Sequence, residues 1–165
     1  MKHLDQRVLD CLKQDARMSL EDMAMLCQDT PQNVATSIQS LTDTKVLLKC
    51  VPVIDETKLL AHDMPIQALV ELNISPQKST GYNTIGDRIS RFPNVKAQYL
   101  LSGQYDFLVL IEARNHQEIA TFVYEKLATL EGVNGTNTHF ILKRYKEAGV
   151  LLKEEESIQR QVISA

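Results

Sequence analysis

The stretch Leu101-Leu-Ser-Gly-Gln-Tyr-Asp-Phe-Leu-Val-Leu-Ile111 decides the fold of this chain. Two apolar runs flank a Gly-Gln-Tyr-Asp turn, and both read as strands, 95–101 and 107–113. The turn therefore sits at the edge of a sheet, where Gly103 can take a backbone conformation that other residues avoid. A polar turn on a rigid sheet is a good place to hold a small ligand.

The pattern continues on both sides. Residues 66–74 form a strand with Ile66, Ala68, Val70, Leu72 and Ile74 on one face. Residues 77–92 form a helix that buries Tyr82, Ile85 and Ile89. A second helix, 117–130, turns Ile119, Phe122, Val123, Leu127 and Leu130 inward. Residues 132–145 close with a strand whose Thr136, Thr138, Phe140 and Leu142 share a face. The order βαββαβ is a ferredoxin-like split βαβ. Both helices then lie on one face of the sheet, and a second copy of the sheet is the simplest cover for the other.

The amino-terminal part is all helical. Asp5 is a plausible cap for a first helix with Val8, Leu9 and Leu12 at helical spacing. Ser19-Leu-Glu-Asp22 resembles a capping box before a second helix with Met23, Leu26 and Cys27 inward. Thr30 caps a third helix, with Pro31 at its first position and Val34, Ile38 and Leu41 on its inner face. Lys45-Val-Leu-Leu-Lys-Cys-Val-Pro-Val-Ile54 is β-rich and reads as a two-stranded wing or a linker strand. The fold class is thus α+β: a winged helix-turn-helix over residues 1–60, a ferredoxin-like βαββαβ domain over 64–146, and a tail over 147–165. The tail reads as a solvated terminus or as an arm packing on a neighbour.

Composition limits the function. The chain has 165 residues and a net charge of −3. Residues 1–60 hold seven Lys and Arg against nine Asp and Glu, a net of −2. That is a poor signature for a nucleic-acid binder, so DNA affinity must come from a local patch or from multivalent assembly. Cys11, Cys27 and Cys50 make an odd set without metal-ligand spacing, and Cys11 reads as a buried thiol. The histidines His3, His62, His116 and His139 are scattered, so no metal site is expected. No nucleophile–base motif or phosphate loop appears, and neither a catalytic residue nor a cofactor is expected. No apolar run approaches the roughly 18 residues of a membrane span. The first residues lack the apolar core of a secretion signal, so the expected location is cytoplasmic.

Taken in order, Leu4–Ser19, Ser102-Gly-Gln-Tyr-Asp106 and Val133-Asn-Gly-Thr-Asn-Thr138 with its following strand resemble the Lrp/AsnC, or feast/famine, family of transcription regulators. The resemblance covers about residues 4–146. It implies a homodimer that assembles further into tetramers or octamers on double-stranded DNA. It also implies operator binding modulated by a small effector, usually an amino acid, held between dimers. By position, Ser102, Gly103, Gln104, Tyr105 and Asp106 match the family's effector loop, and Thr136 and Thr138 match its last-strand threonines. A backbone amide and a threonine hydroxyl suit a carboxylate, and Asp106 suits an ammonium.

The third helix departs from the family. Gln32, Asn33, Thr36, Ser37, Gln39 and Ser40 fill its expected exposed positions, and no Arg or Lys is among them. Gln and Asn can read adenine edges, but they neutralise no phosphate. Lys45 and Lys49 near the wing, with Lys2, Arg7, Lys13 and Arg17 on the first helix, are the remaining candidates for phosphate contact. Gln28 and Asp29 stand where the family's turn has Gly and Leu, and Lys45 replaces a usual Gly. The alternative reading is an effector-binding oligomeric module with weakened or lost DNA binding that acts through a protein partner.

Overall fold

Three helices open the chain in the computed structural model, which describes residues 3–59, 64–75 and 81–152. They are α1 (His3–Gln14), α2 (Leu20–Cys27) and α3 (Pro31–Asp43). The Ser19 hydroxyl accepts from the Asp22 amide at 3.1 Å and donates to the Asp22 carboxylate at 2.7 Å, so the N-cap half of the box forms while Asp22 turns to the hydroxyl. Thr30 accepts from the Asn33 amide at 3.2 Å, and Pro31 occupies the position where a missing N–H costs nothing. Val8, Cys11, Met23, Ala24, Cys27, Val34 and Leu41 form the core of this unit.

Two expectations fail here for one reason. Asp5 does not cap α1, which already begins at His3. Its carboxylate instead accepts from the Ser37 hydroxyl at 2.7 Å. Ser37 is therefore buried between helices rather than presented outward. Helical spacing locates a face but does not say which polar residue on it finds an internal partner. Leu26, expected inward, is also exposed.

The turn between α2 and α3 places Gln28 at φ 48°, in the left-handed region that suits glycine. Its N–H still closes the helix end onto Ala24 and Met25 carbonyls. Gln28→Gly is expected to stabilise this unit by about 1 kcal/mol, the strain of a side chain in that region less the added chain entropy. Chemical denaturation reads it, and no gain would show that the turn is unstrained. Lys45 likewise has φ 57°. Beyond it, residues 45–54 contain no strand, so the expected wing pairing is absent among the described residues. Its apolar side chains Val46, Leu48, Val51 and Ile54 are exposed, and a lone extended segment has no ladder partner. Contacts divide the chain into one unit through Pro52 and a second from Val53, earlier than the expected boundary near residue 60.

The second unit holds β1 (Ile66–Ile74), α4 (Gly81–Ser90), β2 (Val95–Leu100), β3 (Phe107–Ala113), α5 (His116–Phe122) and β4 (Val133–Phe140). Helix α5 runs directly into a π-helical turn, Val123–Leu127. The sheet is antiparallel in the order β2-β3-β1-β4, as a ferredoxin-like fold requires. Ala68, Val70 and Leu72 pair with Ile111, Val109 and Phe107, and all six are buried beneath Ile89, Ile119 and Leu127 of the helical layer. The expected inner residues of both helices are buried or half-buried. The expected helix start at 77 and His62 lie outside the described residues.

The last strand is shorter than expected. It ends at Phe140, and Leu142 is 96% exposed rather than inward. A two-stranded hairpin follows, β5 (Lys146–Glu147) against β6 (Val150–Leu151), so the segment expected as a tail begins inside regular structure. Ala148 and Gly149 both have positive φ at its turn, the geometry of the two-residue turns that match strand twist. Residues 153–165 lie outside the described residues.

Candidate functional site

The loop between β2 and β3 is closed by Leu101 N–H donating to the Asp106 carbonyl at 2.8 Å. Gly103 does not have positive φ, and a Cβ built on it meets nothing within 4 Å. The expectation of a special backbone there is therefore wrong; the loop is wide enough to turn without one. A glycine that the backbone does need is Gly132, at φ 91°, where a Cβ would lie 2.8 Å from the Ile85 side chain. Ser102, Gly103 and Gln104 are all exposed.

The next two residues of the loop have different partners. The Asp106 carboxylate accepts from the Ile74 amide at 2.6 Å and from the Tyr82 hydroxyl at 2.9 Å. It ties β1 to α4. The hydrogen bond to Asp106, with burial, holds the Tyr82 phenol above its usual range. Tyr105 instead lies close enough to Glu71 to favour its charged form. Glu71 also accepts from the Asn137 amide at 3.1 Å and lies 3.2 Å from His139 Nε2. Burial pushes the Glu71 carboxyl up, but these bonds outweigh it and hold it below the carboxylate range.

Register assigns the faces. Thr136 and Thr138 pair with the buried Leu72 and Val70, so they lie half-buried on the helix-covered face. Asn137 and His139 pair with Glu71 and Leu69 on the opposite, open face. The expected effector residues are thus gathered at one end of the sheet but divided between its faces. Thr136, Thr138 and Asp106 are on the helix side, and Tyr105 is on the open side. Sequence reasoning missed Glu71, Asn137 and His139. The available signal was Glu71 alternating with the apolar Val70 and Leu72 in β1, and Asn137 and His139 two residues apart in β4.

The open face has an apolar centre between two polar ends. Leu69 pairs with Leu110, and Leu108 pairs with Glu71 and Tyr99. At the far end Gln67 and Lys96 converge on Glu112 at 2.9 and 3.1 Å.

On the helix-turn-helix, Gln32, Asn33, Thr36, Gln39, Ser40, Lys45 and Lys49 are exposed as expected, and Ser37 is not. Two aspartates hold its amides. Asn33 Nδ2 donates to Asp29 at 2.7 Å, and Gln39 Nε2 donates to Asp43 at 2.8 Å. The Asn33 amide and the Thr30 N–H keep the Asp29 carboxyl below its usual range. The exposed side of α3 thus carries an acid at each end and no base between them. The thiols of Cys11 and Cys27 contact one another in the core, and burial pushes the Cys27 thiol up, which makes it a poor nucleophile. Among the described residues no cluster of three metal-ligating side chains occurs, and no helix is long and apolar enough to cross a membrane.

Residues 67–151 match the family model described as the Lrp/AsnC ligand binding domain. An uncharacterized HTH-type transcriptional regulator of Bacillus subtilis, YugG, is 34% identical over 157 residues, covering 95% of this chain and 94% of its own. The leucine response regulatory protein LrpA of Mycobacterium tuberculosis superposes with a TM-score of 0.72 at 16% identity, covering 93% of this chain and all (100%) of its own. A Neisseria meningitidis transcriptional regulator solved as an L-Met complex gives 0.67 at 19% identity, covering 89% and 93%. With the helix-turn-helix and the ferredoxin-like sheet in the same order, the chain belongs to the Lrp/AsnC family of transcription regulators.

Proposed function

We propose that this chain binds operator DNA as a homo-oligomer and that an amino acid modulates the binding. The effector is held where the loop 101–106 of one dimer meets another dimer. One observation carries this reading: Gly103 is exposed, and among the described residues nothing lies within 4 Å of a Cβ at that position. A glycine free of internal duty suits close approach by a ligand or a second backbone. The Neisseria relative's complex with L-Met favours an amino acid. A second copy covers the open sheet face, burying Leu69, Leu108 and Leu110. The effector's carboxylate meets amides of the loop and a threonine hydroxyl. Because Asp106 is engaged by Ile74 and Tyr82, its part is to hold the loop rather than to meet the ammonium directly.

The test is a thermal-shift series over the common amino acids on the intact chain and on Gly103→Val. One amino acid should raise the melting temperature with the logarithm of its concentration. The variant should melt within about 0.5 kcal/mol of the parent, as surface changes do, yet lose the response. A response retained in Gly103→Val would remove the loop from the site.

A second reading, action through a protein partner, is favoured by the acids at both ends of α3. A gel shift on the chain's own upstream DNA at two salt concentrations separates the readings, because phosphate contacts make binding salt-dependent.

A further inference from the structure

The outer side of α4 and α5 carries a groove away from the loop and the open face. At one end Arg88 and Arg91, at the carboxyl end of α4, face Lys126 and Thr129 across a hollow of about 520 Å³. A second hollow of about 500 Å³ shares Glu125 and Lys126 with the first and extends to Asn94, Asn115 and Gln117. Phe92 lines one hollow and Phe122 the other, and their rings meet edge to face at 5.2 Å. Both volumes fall in the range of small-molecule sites.

The charges are arranged for an anion. Among the described residues, Arg88, Arg91 and Lys126 have no hydrogen-bond or ion-pair partner, whereas Arg114 at the other end is bound to Glu118 at 2.6 Å. Three free cations face one acid, Glu125. A zwitterionic amino acid has no use for such an excess, but a phosphate does, and arginines bind phosphate oxygens in pairs. The opposite end is neutral and amide-rich. Asn94 spends its N–H on the Glu112 carbonyl and Asn115 its oxygen on the Glu118 amide, which leaves an acceptor on one and a donor on the other. Lys126 and Glu125 stand on the π-helical turn, a rare geometry that recurs at functional sites.

We infer that this groove binds a nucleoside phosphate. Arg88, Arg91 and Lys126 hold the phosphates. Phe92 and Phe122 floor the middle, and Asn94, Asn115 and Gln117 hydrogen-bond the base or ribose. The site is separate from the proposed effector loop and does not depend on it.

Calorimetric titration of the full chain with ATP, adenosine and inorganic pyrophosphate tests it, beside Arg91→Ala/Lys126→Ala and Gln117→Ala. ATP should bind the parent and lose about a hundredfold in affinity in the double variant, about tenfold per charged contact. Both variants alter exposed side chains, so their melting temperatures should match the parent's. Gln117→Ala should weaken ATP and leave pyrophosphate unchanged. Absence of ATP binding, or equal binding by the double variant, would overturn the site. Pyrophosphate binding as tightly as ATP would overturn the nucleoside assignment. Displacement of ATP by a random DNA duplex, lost in the double variant, would reassign the groove to the DNA backbone and overturn the small-molecule reading.

Discussion

Asp106→Ala is expected to destabilise the second unit by about 3 kcal/mol, from two hydrogen bonds to a charged acceptor and one buried donor left unmet. The carboxylate takes the Ile74 amide and the Tyr82 hydroxyl, and the Asp106 amide donates to the Leu72 carbonyl at 3.0 Å. Ile74 is buried, so its N–H has no water to replace the lost partner. Asp106→Asn should cost less, because its carbonyl oxygen keeps one acceptor and the Tyr82 hydroxyl can accept from its amide. Urea unfolding followed for both variants ranks them. Equal costs would mean that the charge, not the acceptors, holds the loop. Tyrosine absorbance gives an independent reading. The Tyr82 phenol is raised mainly by Asp106, so the alanine variant should titrate at lower pH. The sign follows from that direction. A phenol raised on folding contributes stability that is present at neutral pH and is lost as the pH rises through its folded pKa. Because Asp106→Ala disturbs the loop's frame, loss of effector binding in that variant would not show contact with the effector. Gly103→Val isolates the surface.

The double variant Asp29→Asn/Asp43→Asn is expected to raise DNA affinity about tenfold, and to do so on specific and random duplexes alike. Each aspartate holds an amide of α3, at 2.7 and 2.8 Å. Asparagine keeps an acceptor oxygen for that amide, so the helix face is preserved while two negative charges leave it. With operator binding through α3 in the major groove, both charges would come near phosphates, where repulsion opposes binding regardless of sequence. Fluorescence anisotropy at two salt concentrations measures the gain. No change in affinity would place α3 away from the backbone and favour the protein-partner reading. Aspartates that pair with the helix's own amides also leave Asn33 and Gln39 with their oxygens outward.

Most residues with two-fold or helical periodicity were legible, Leu26 and Leu142 being the exceptions. The bounds of β1 and β3 and the inner residues of α5 follow from apolar spacing alone, because burial on one face is what selects them. The caps Ser19 and Thr30 follow from local chemistry, since an N-cap bonds to an amide three residues away. The misread residues have partners distant in sequence. Ser37 faces Asp5 across 32 residues, Asp106 meets Ile74 across the same separation, and Glu71 collects Asn137 and His139 from the far edge of the sheet.

The sequence by itself determined the order of the main elements, the family and the position of the 101–106 loop, because pattern and local capping act within a few residues. Only the tertiary structure decided which polar groups are spent and which are free. It engaged Asp106 and Ser37 internally and, among the described residues, left open space around Gly103 and three cations without partners along one groove. Hydrogen bonding in a folded chain is settled by what the packing brings within 3 Å, and spacing along the sequence does not encode that.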